Sequence, residues 1–469
     1  MTGPVLAIDQ GTSGTKAIVV CPERGVLGQA VVDVHPRYGA GGSVEVDPGA
    51  LLGSVLDAAR QALAAAGEPV LAVGLANQGE TVLAWDRDTG EPLTPAIVWQ
   101  DRRSTGICAA MADRADELAA ITGLPLDPYF AAPKMRWLRE QRTRAGVVTT
   151  SDAWLVHQLT GAFVTDASTA SRTMLLDLDA ADWSAAALTA FGLDDEPLPA
   201  VVDGAGTFGA VAALGGVPLT GLAVDQQAAL IAQGCLAPGE AKCTYGTGAF
   251  LLANVGRRAL RSRAGLSTSV AWRLAGRADY CLDGQVYAVG SAVRWLTEQR
   301  IIDGPADLDL LGGSVPDSAG VVLVPAFAGL AAPRWDPGAT ASLTGLTLGS
   351  TRAHIVRALI DGIAAQVVGL ARAVAADLGD ELVTLRVDGG LTRSAVLMQT
   401  QADLLQVPVQ VYPSPDATAL GVAALARLGL AGSDLGLRDV VPAWTPSAVF
   451  EPRISPDQAA ERLARTPLS

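Results

Sequence analysis

The chain has 469 residues, 49% hydrophobic and 17% charged, enough for about two domains with large cores and wrong for a disordered polymer. Its formal net charge of −14 and pI near 4.7 would repel nucleic-acid phosphates and anionic lipid, so neither is expected as a partner. Any phosphate it binds must be held by local backbone amides or a metal. The five cysteines are scattered without a C-x-x-C pair, and there are only three histidines. A disulfide framework and a zinc site are therefore not expected. The opening MTGPVLAIDQ has no signal-peptide pattern. The longest uncharged apolar stretch, residues 320–333, holds two prolines and falls short of the ~18 residues a spanning helix needs. A reducing cytoplasm is the expected location.

The first element is an apolar run at residues 5–8, followed by Asp9-Gln10-Gly11-Thr12-Ser13-Gly14-Thr15-Lys16 and a second run at 17–20. Strand, tight polar turn, strand predicts a β-hairpin with glycines where the backbone turns or approaches a ligand. Amides freed around Gly11, Thr12 and Ser13 suit anionic oxygens, Asp9 can hold Mg2+ directly or through water, and Lys16 adds a charge for phosphate. Such hairpins also occur as plain turns. Asp47-Pro48, a stripe of leucines, valines and alanines, and Gly67 predict a capped helix. A strand at 70–75 then delivers Asn77-Gln78-Gly79-Glu80-Thr81 at its end. Strands alternating with helices predict an α/β layer structure with ligands at the strands' carboxyl ends. Gln78, Glu80 and Trp99-Gln100-Asp101-Arg102-Arg103 place polar groups beside an aromatic, a pattern that suits polyols.

Asp225 ends the run 219–224 and precedes a helical pattern, 226–233, so it is expected as an N-cap. A carboxylate there is favoured ionised by the helix dipole and can accept a proton from an attacking hydroxyl; the alternative is a purely structural cap. Near the midpoint, residues 240–244, Tyr245-Gly246-Thr247-Gly248 and 249–255 repeat the hairpin. Thr12 and Thr247 lie 235 positions apart in 469, which predicts duplicated halves facing across a cleft. Residues 1–233 form the expected N-terminal domain, 234–440 the C-terminal domain, and 441–469 a peripheral tail. In the second half, Leu385-Arg386-Val387 leads into Asp388-Gly389-Gly390, either a platform for adenosine or an ordinary strand-to-helix turn.

Taken together these segments resemble the FGGY carbohydrate kinases, the glycerol kinase branch most closely. The matching blocks run in order over about residues 5–430. They are 9–16, 77–81 (family form N-Q-R-E-T), 97–103, 129–138 with Lys134 and Trp137, 225–228, 244–250, 325–337, 385–390 and 418–421. The resemblance implies two ribonuclease-H-like domains of the actin/hexokinase-like fold, with ATP, Mg2+ and a small polyol or sugar in the cleft. It implies Asp225 as catalytic base, and substrate contacts at Glu80, Trp99, Tyr129, Asp225, Gln226 and Phe250. Phosphate contacts would come from Thr12, Ser13, Lys16 and Thr247, with adenosine near Gly290, Arg294, Gly390 and Ser394. Dimers or tetramers are common among such kinases.

Three departures stand out. Gly79 replaces the family arginine of N-Q-R-E-T, which removes a charged donor for substrate hydroxyls, vacates space and shifts the expected substrate to four or five carbons. Glycerol stays an alternative if Arg102 or Arg136 swings in to replace that donor. Arg294 and Ser394 replace the usual Gln and Asn at the adenosine site, and Ala131 the usual serine. Two rival readings remain. Ketose kinases of the xylulokinase type carry a Q-M-H-G-like segment where this chain has Gln78-Gly79-Glu80-Thr81. An actin-like ATP switch would not need Glu80, Trp99 and Tyr129 around a small polar pocket.

Overall fold

The computed structural model describes residues 3–432 and 435–466. Val5–Gln10 pairs antiparallel with Gly14–Cys21 across the first glycine turn, and Gly25–Asp33 adds a third antiparallel strand. On the other side Val73–Asn77 and Val217–Val224 join in parallel. The second half repeats this plan. Ala241–Tyr245, Ala249–Gly256 and Arg277–Val286 form the antiparallel trio, and Leu385–Asp388 and Val409–Val411 the parallel pair. The spatial order is the same in both sheets. The chain is thus a duplicated α/β fold, two ribonuclease-H-like halves. The strand predicted at 70–75 runs instead over Val73–Asn77, because its parallel register with Leu6–Gln10 carries it through Asn77.

Helix Pro48–Ala66 forms as its sequence dictates. The Asp47 carboxylate accepts from the Ala50 amide at 3.1 Å, and Gly67 closes it at φ 68°. Leu51, Val55 and Ala58 are buried in the core over the first sheet. Helices Asp225–Ala232 and Ala417–Ala431 lie side by side between the two sheets. Their core joins Val5 and Ala7 of the first sheet, Ala228 and Val422 of the helices, and Leu252 and Cys281 of the second sheet. At their crossing, a Cβ added to Gly421 would stand 1.8 Å from the Ala228 carbonyl oxygen, so only glycine permits the approach.

Helix Arg352–Leu378 is long and apolar enough to cross a membrane by length and composition. Its Val356, Leu359, Ile363, Val367 and Leu370 are buried in the core of the second half. The segment expected as a peripheral tail, residues 441–469, holds an edge strand, Ala448–Phe450, antiparallel to Val409–Val411. It satisfies backbone groups that an open edge would leave to water. Beyond it, helix Pro456–Ala464 buries Leu463 beside Leu404 and Val368.

Candidate active site

Parallel strands place the residues at their carboxyl ends together, and each half contributes two carboxylates there. Asp9 is the last residue but one of the first strand, Asp225 follows Val217–Val224, Asp388 ends Leu385–Asp388, and Asp416 follows Val409–Val411. Asp9 is pushed up to about 7, first by burial, then by the charges of Asp225, Asp416 and Asp388, with Lys16 opposing. Asp225 is pushed up to about 6, by burial first, with Lys242 as the main opposing charge. It is the first residue of its helix rather than the cap, because Val224 keeps the extended conformation; the Gln226 amide donates to its Oδ1 at 2.7 Å. Among the described residues no three acidic or histidine side chains cluster tightly enough to hold a metal alone. Mutually repelling carboxylates still fit Mg2+, which takes one or two carboxylates and completes its shell with phosphates and water. Lys16 donates to Asp416 Oδ1 at 2.8 Å, so a bound phosphate would compete with that carboxylate.

Beside this cluster stands an aromatic wall. Trp99 meets Tyr129 edge-on at 5.6 Å and Phe250 at 6.2 Å between ring centroids. Phe250 comes from the second half, so the wall spans the cleft. The Trp99 indole donates to Thr12 Oγ1 at 2.9 Å, tying the wall to the first glycine turn. Glu80 is buried at φ 58°, a left-handed conformation that costs a β-carbon residue about 1–3 kcal/mol. Burial raises its pKa and Arg172 opposes the rise. The Arg172 guanidinium donates to Glu80 Oε1 at 2.6 Å and pairs with Asp283 Oδ2 at 2.7 Å, a buried ionic bridge between the halves. Gln78 is buried and donates to Gln10 Oε1 at 3.3 Å.

Lys134 positions the wall. Its buried ammonium donates to the carbonyls of Pro128 at 2.9 Å, Tyr129 at 2.5 Å and Phe130 at 2.6 Å. Lys134→Met is expected to leave these acceptors unpaired, lower stability by about 1–3 kcal/mol and raise the substrate KM more than it lowers kcat. Denaturant unfolding and steady-state kinetics check both.

On the second half, Lys242 is fully buried and donates to Thr244 Oγ1 at 2.9 Å and to the Gln226 side-chain oxygen. Thr244 in turn donates to Asp388 Oδ1 at 2.5 Å. Gly389 sits at φ 97° and its absent side chain lets Tyr245 O approach to 2.4 Å of the Cβ position. A cavity of about 420 Å³ opens here, lined by Gly246, Gly290, Arg294, Gly390 and neighbours.

The structure therefore gathers Asp9, Lys16 and Asp225 with Asp388, and Trp99, Tyr129 and Phe250 with Thr12. It joins Gln226 to the cluster through Lys242 and puts Gly246, Gly290, Arg294 and Gly390 around one cavity. Gly11 donates its amide to Gly14 O at 3.0 Å inside the first turn. Ser13 and Thr247 are exposed on their turns. Ser394 stands apart from the cavity lining: it caps helix Ala395–Leu405 and donates to Asp309 Oδ1 at 2.6 Å. Arg102 is held by Asp127 at 3.0 Å, and Arg136 by Glu140 at 2.7 Å. Sequence reasoning missed Arg172, Lys242, Asp283 and Asp416. The signal for two of them was a lone charge inside an apolar strand, as in Ala-Lys-Cys-Thr-Tyr and Tyr-Cys-Leu-Asp.

Two duplicated halves of the actin/hexokinase-like fold, with carboxylates at the strand ends, an aromatic wall across the cleft and a cavity in the second half, have the architecture of a two-domain phosphotransferase. Residues 4–232 match the N-terminal domain, and 241–430 the C-terminal domain, of the FGGY family of carbohydrate kinases. The chain belongs to that family and is an ATP-dependent kinase. It is 43% identical over 480 residues to the glycerol kinase of Alkalilimnicola ehrlichii, covering 98% of this chain and 96% of that one. It is 44% identical to the glycerol kinase of Thermus brockianus, over 98% and 96% of the two chains. Plasmodium falciparum glycerol kinase with ADP superposes at a TM-score of 0.91 and 31% identity, covering 99% of this chain and 97% of that chain.

Proposed function

We propose that this kinase transfers the γ-phosphoryl group of ATP to a primary hydroxyl of a four- or five-carbon polyol or sugar, with Asp225 as general base. The convergence of Asp225, Asp9 and the cleft-spanning aromatic wall carries the proposal. The relatives named glycerol kinase support a small polyol, and Gly79 argues for one longer than glycerol.

Asp225 accepts the proton of the attacking hydroxyl, whose oxygen bonds to the γ-phosphorus as the bond to the ADP oxygen breaks. Backbone amides of the two glycine turns and the Lys16 ammonium stabilise the charge spread over the transferring group, which is most of what phosphoryl transfer requires. Asp9 would hold Mg2+, which when bound neutralises phosphate charge. Closing the halves excludes water, a rival nucleophile.

An ADP-release assay over three- to six-carbon polyols, aldoses and ketoses tests the reading. A tetritol or pentitol with kcat/KM above that of glycerol supports it; glycerol as the best substrate refutes it. A base raised to about 6 also sets a pH dependence. Below that value Asp225 is protonated and cannot accept a proton, so kcat/KM is expected to fall about tenfold per pH unit on the acid side. A flat profile from pH 5 to 7 would remove Asp225 from the role. The proposal includes a cytoplasmic location and a homodimer or homotetramer, which sedimentation of the pure protein measures.

A further inference from the structure

The strand Arg277–Val286 carries polar residues where its partner carries an aromatic one. Phe250 lies opposite Gln285 in the antiparallel register, and directly opposed residues share a face of the sheet. Phe250 packs against Trp99, so the face bearing Gln285 is the one turned to the substrate wall. Alternation puts Asp283 on the same face, where it pairs with Arg172 and through it with Glu80. Just beyond the strand, Tyr287 lies 6.3 Å from the Tyr129 ring, with the Arg102 guanidinium 5.2 Å over its own ring.

These side chains keep hydrogen-bonding capacity that the protein does not use. Gln285 is 1% exposed with Asp283 beside its amide, yet neither its amide oxygen nor its nitrogen makes a well-formed hydrogen bond. Gln78 Oε1 and Asp283 Oδ1 are likewise without one, and the buried Tyr287 hydroxyl has the Arg102 guanidinium beside it but makes no well-formed hydrogen bond. Buried polar atoms without partners are rare in native proteins and call for a physical reason. Here they gather around the Glu80–Arg172–Asp283 bridge and the Tyr129 ring.

We propose that Gln285 and Tyr287 form a second wall of the substrate pocket, whose amide and hydroxyl hydrogen-bond the hydroxyls at the third and fourth carbons of a tetritol or pentitol. The amide both donates and accepts, as a neutral polyol hydroxyl requires. Glycerol is too short to satisfy both residues at once. The inference rests on the four- to five-carbon reading, and the two fail separately.

Wild-type enzyme, Gln285→Ala and Tyr287→Phe are compared on glycerol, erythritol, threitol, ribitol, arabinitol and xylitol. Each variant is expected to lower the ratio of kcat/KM on the best longer polyol to that on glycerol by about tenfold or more, mainly through KM, since a site built around a hydroxyl discriminates against its loss. Tyr287→Phe removes a single oxygen, and ADP affinity by calorimetry reports whether each variant is folded. Ratios unchanged in a Tyr287→Phe enzyme that binds ADP normally overturn the second wall and leave the longer-substrate reading standing. A wild-type preference for glycerol overturns both.

Discussion

Asp225→Asn is expected to lower kcat by about 10²–10⁴-fold, the usual worth of a positioned general base, with ADP affinity close to the wild-type value. The substitution keeps the size and shape of the side chain, so the remaining oxygen can still accept from the Gln226 amide at 2.7 Å. What it removes is the lone pair that takes the hydroxyl proton. The cavity proposed for the nucleotide, lined by Gly246, Gly290, Arg294 and Gly390, belongs to the other half and should not register the change. Losing the Asp225 charge also removes the largest neighbouring charge that raises Asp9, so Asp9 becomes more acidic. Steady-state kinetics and calorimetric ADP titration separate the two roles. Equal loss of turnover and of ADP binding would make Asp225 a structural residue. The acid limb near pH 6 should disappear from the residual activity, which a merely structural residue would not cause.

The two glycine hairpins and their 235-residue spacing were legible because turn chemistry is local. Residues 11–13 and 246–248 can do little but turn a chain between two apolar runs, and the repeat implies the duplicated sheets. The place of Asp225 at the junction of strand and helix was legible for the same reason, apart from a one-residue shift set by Val224. Arg172, Lys242, Asp283 and Asp416 were not, because each acquires meaning only when a distant strand end arrives beside it. The carboxylate that Lys16 pairs with, Asp416, lies 400 positions away and could not be read from its sequence context. The contacts of Ser394 were hidden too: its hydroxyl is taken up by its own helix and by Asp309, 85 positions away. The edge strand Ala448–Phe450 was hidden because three residues are too few for a period, and only the open edge of Val409–Val411 gives them a partner.

Gly79→Arg is expected to reverse the substrate preference, raising kcat/KM for glycerol and lowering it for longer polyols, with a combined swing in the ratio of about 10²–10³-fold. A hydrogen bond from a charged donor is worth about 1.5–3 kcal/mol, which is about 10- to 150-fold at 1.4 kcal/mol per tenfold, and the lost volume penalises the longer substrate in addition. Space permits the change. The φ of Gly79 lies outside the left-handed region, and a Cβ there would meet only Val224 Cγ2 at 3.0 Å, a methyl group able to give by a few tenths of an ångström. The new guanidinium would also find Glu80 already paired with Arg172 at 2.6 Å, so its donors are directed to substrate oxygens rather than captured by that carboxylate. Kinetics of the variant on glycerol and on the best tetritol or pentitol decide the matter. A rise for glycerol without a fall for the longer substrate would mean that volume beside Glu80 is not what selects length. No change in either would remove Gly79 from specificity altogether.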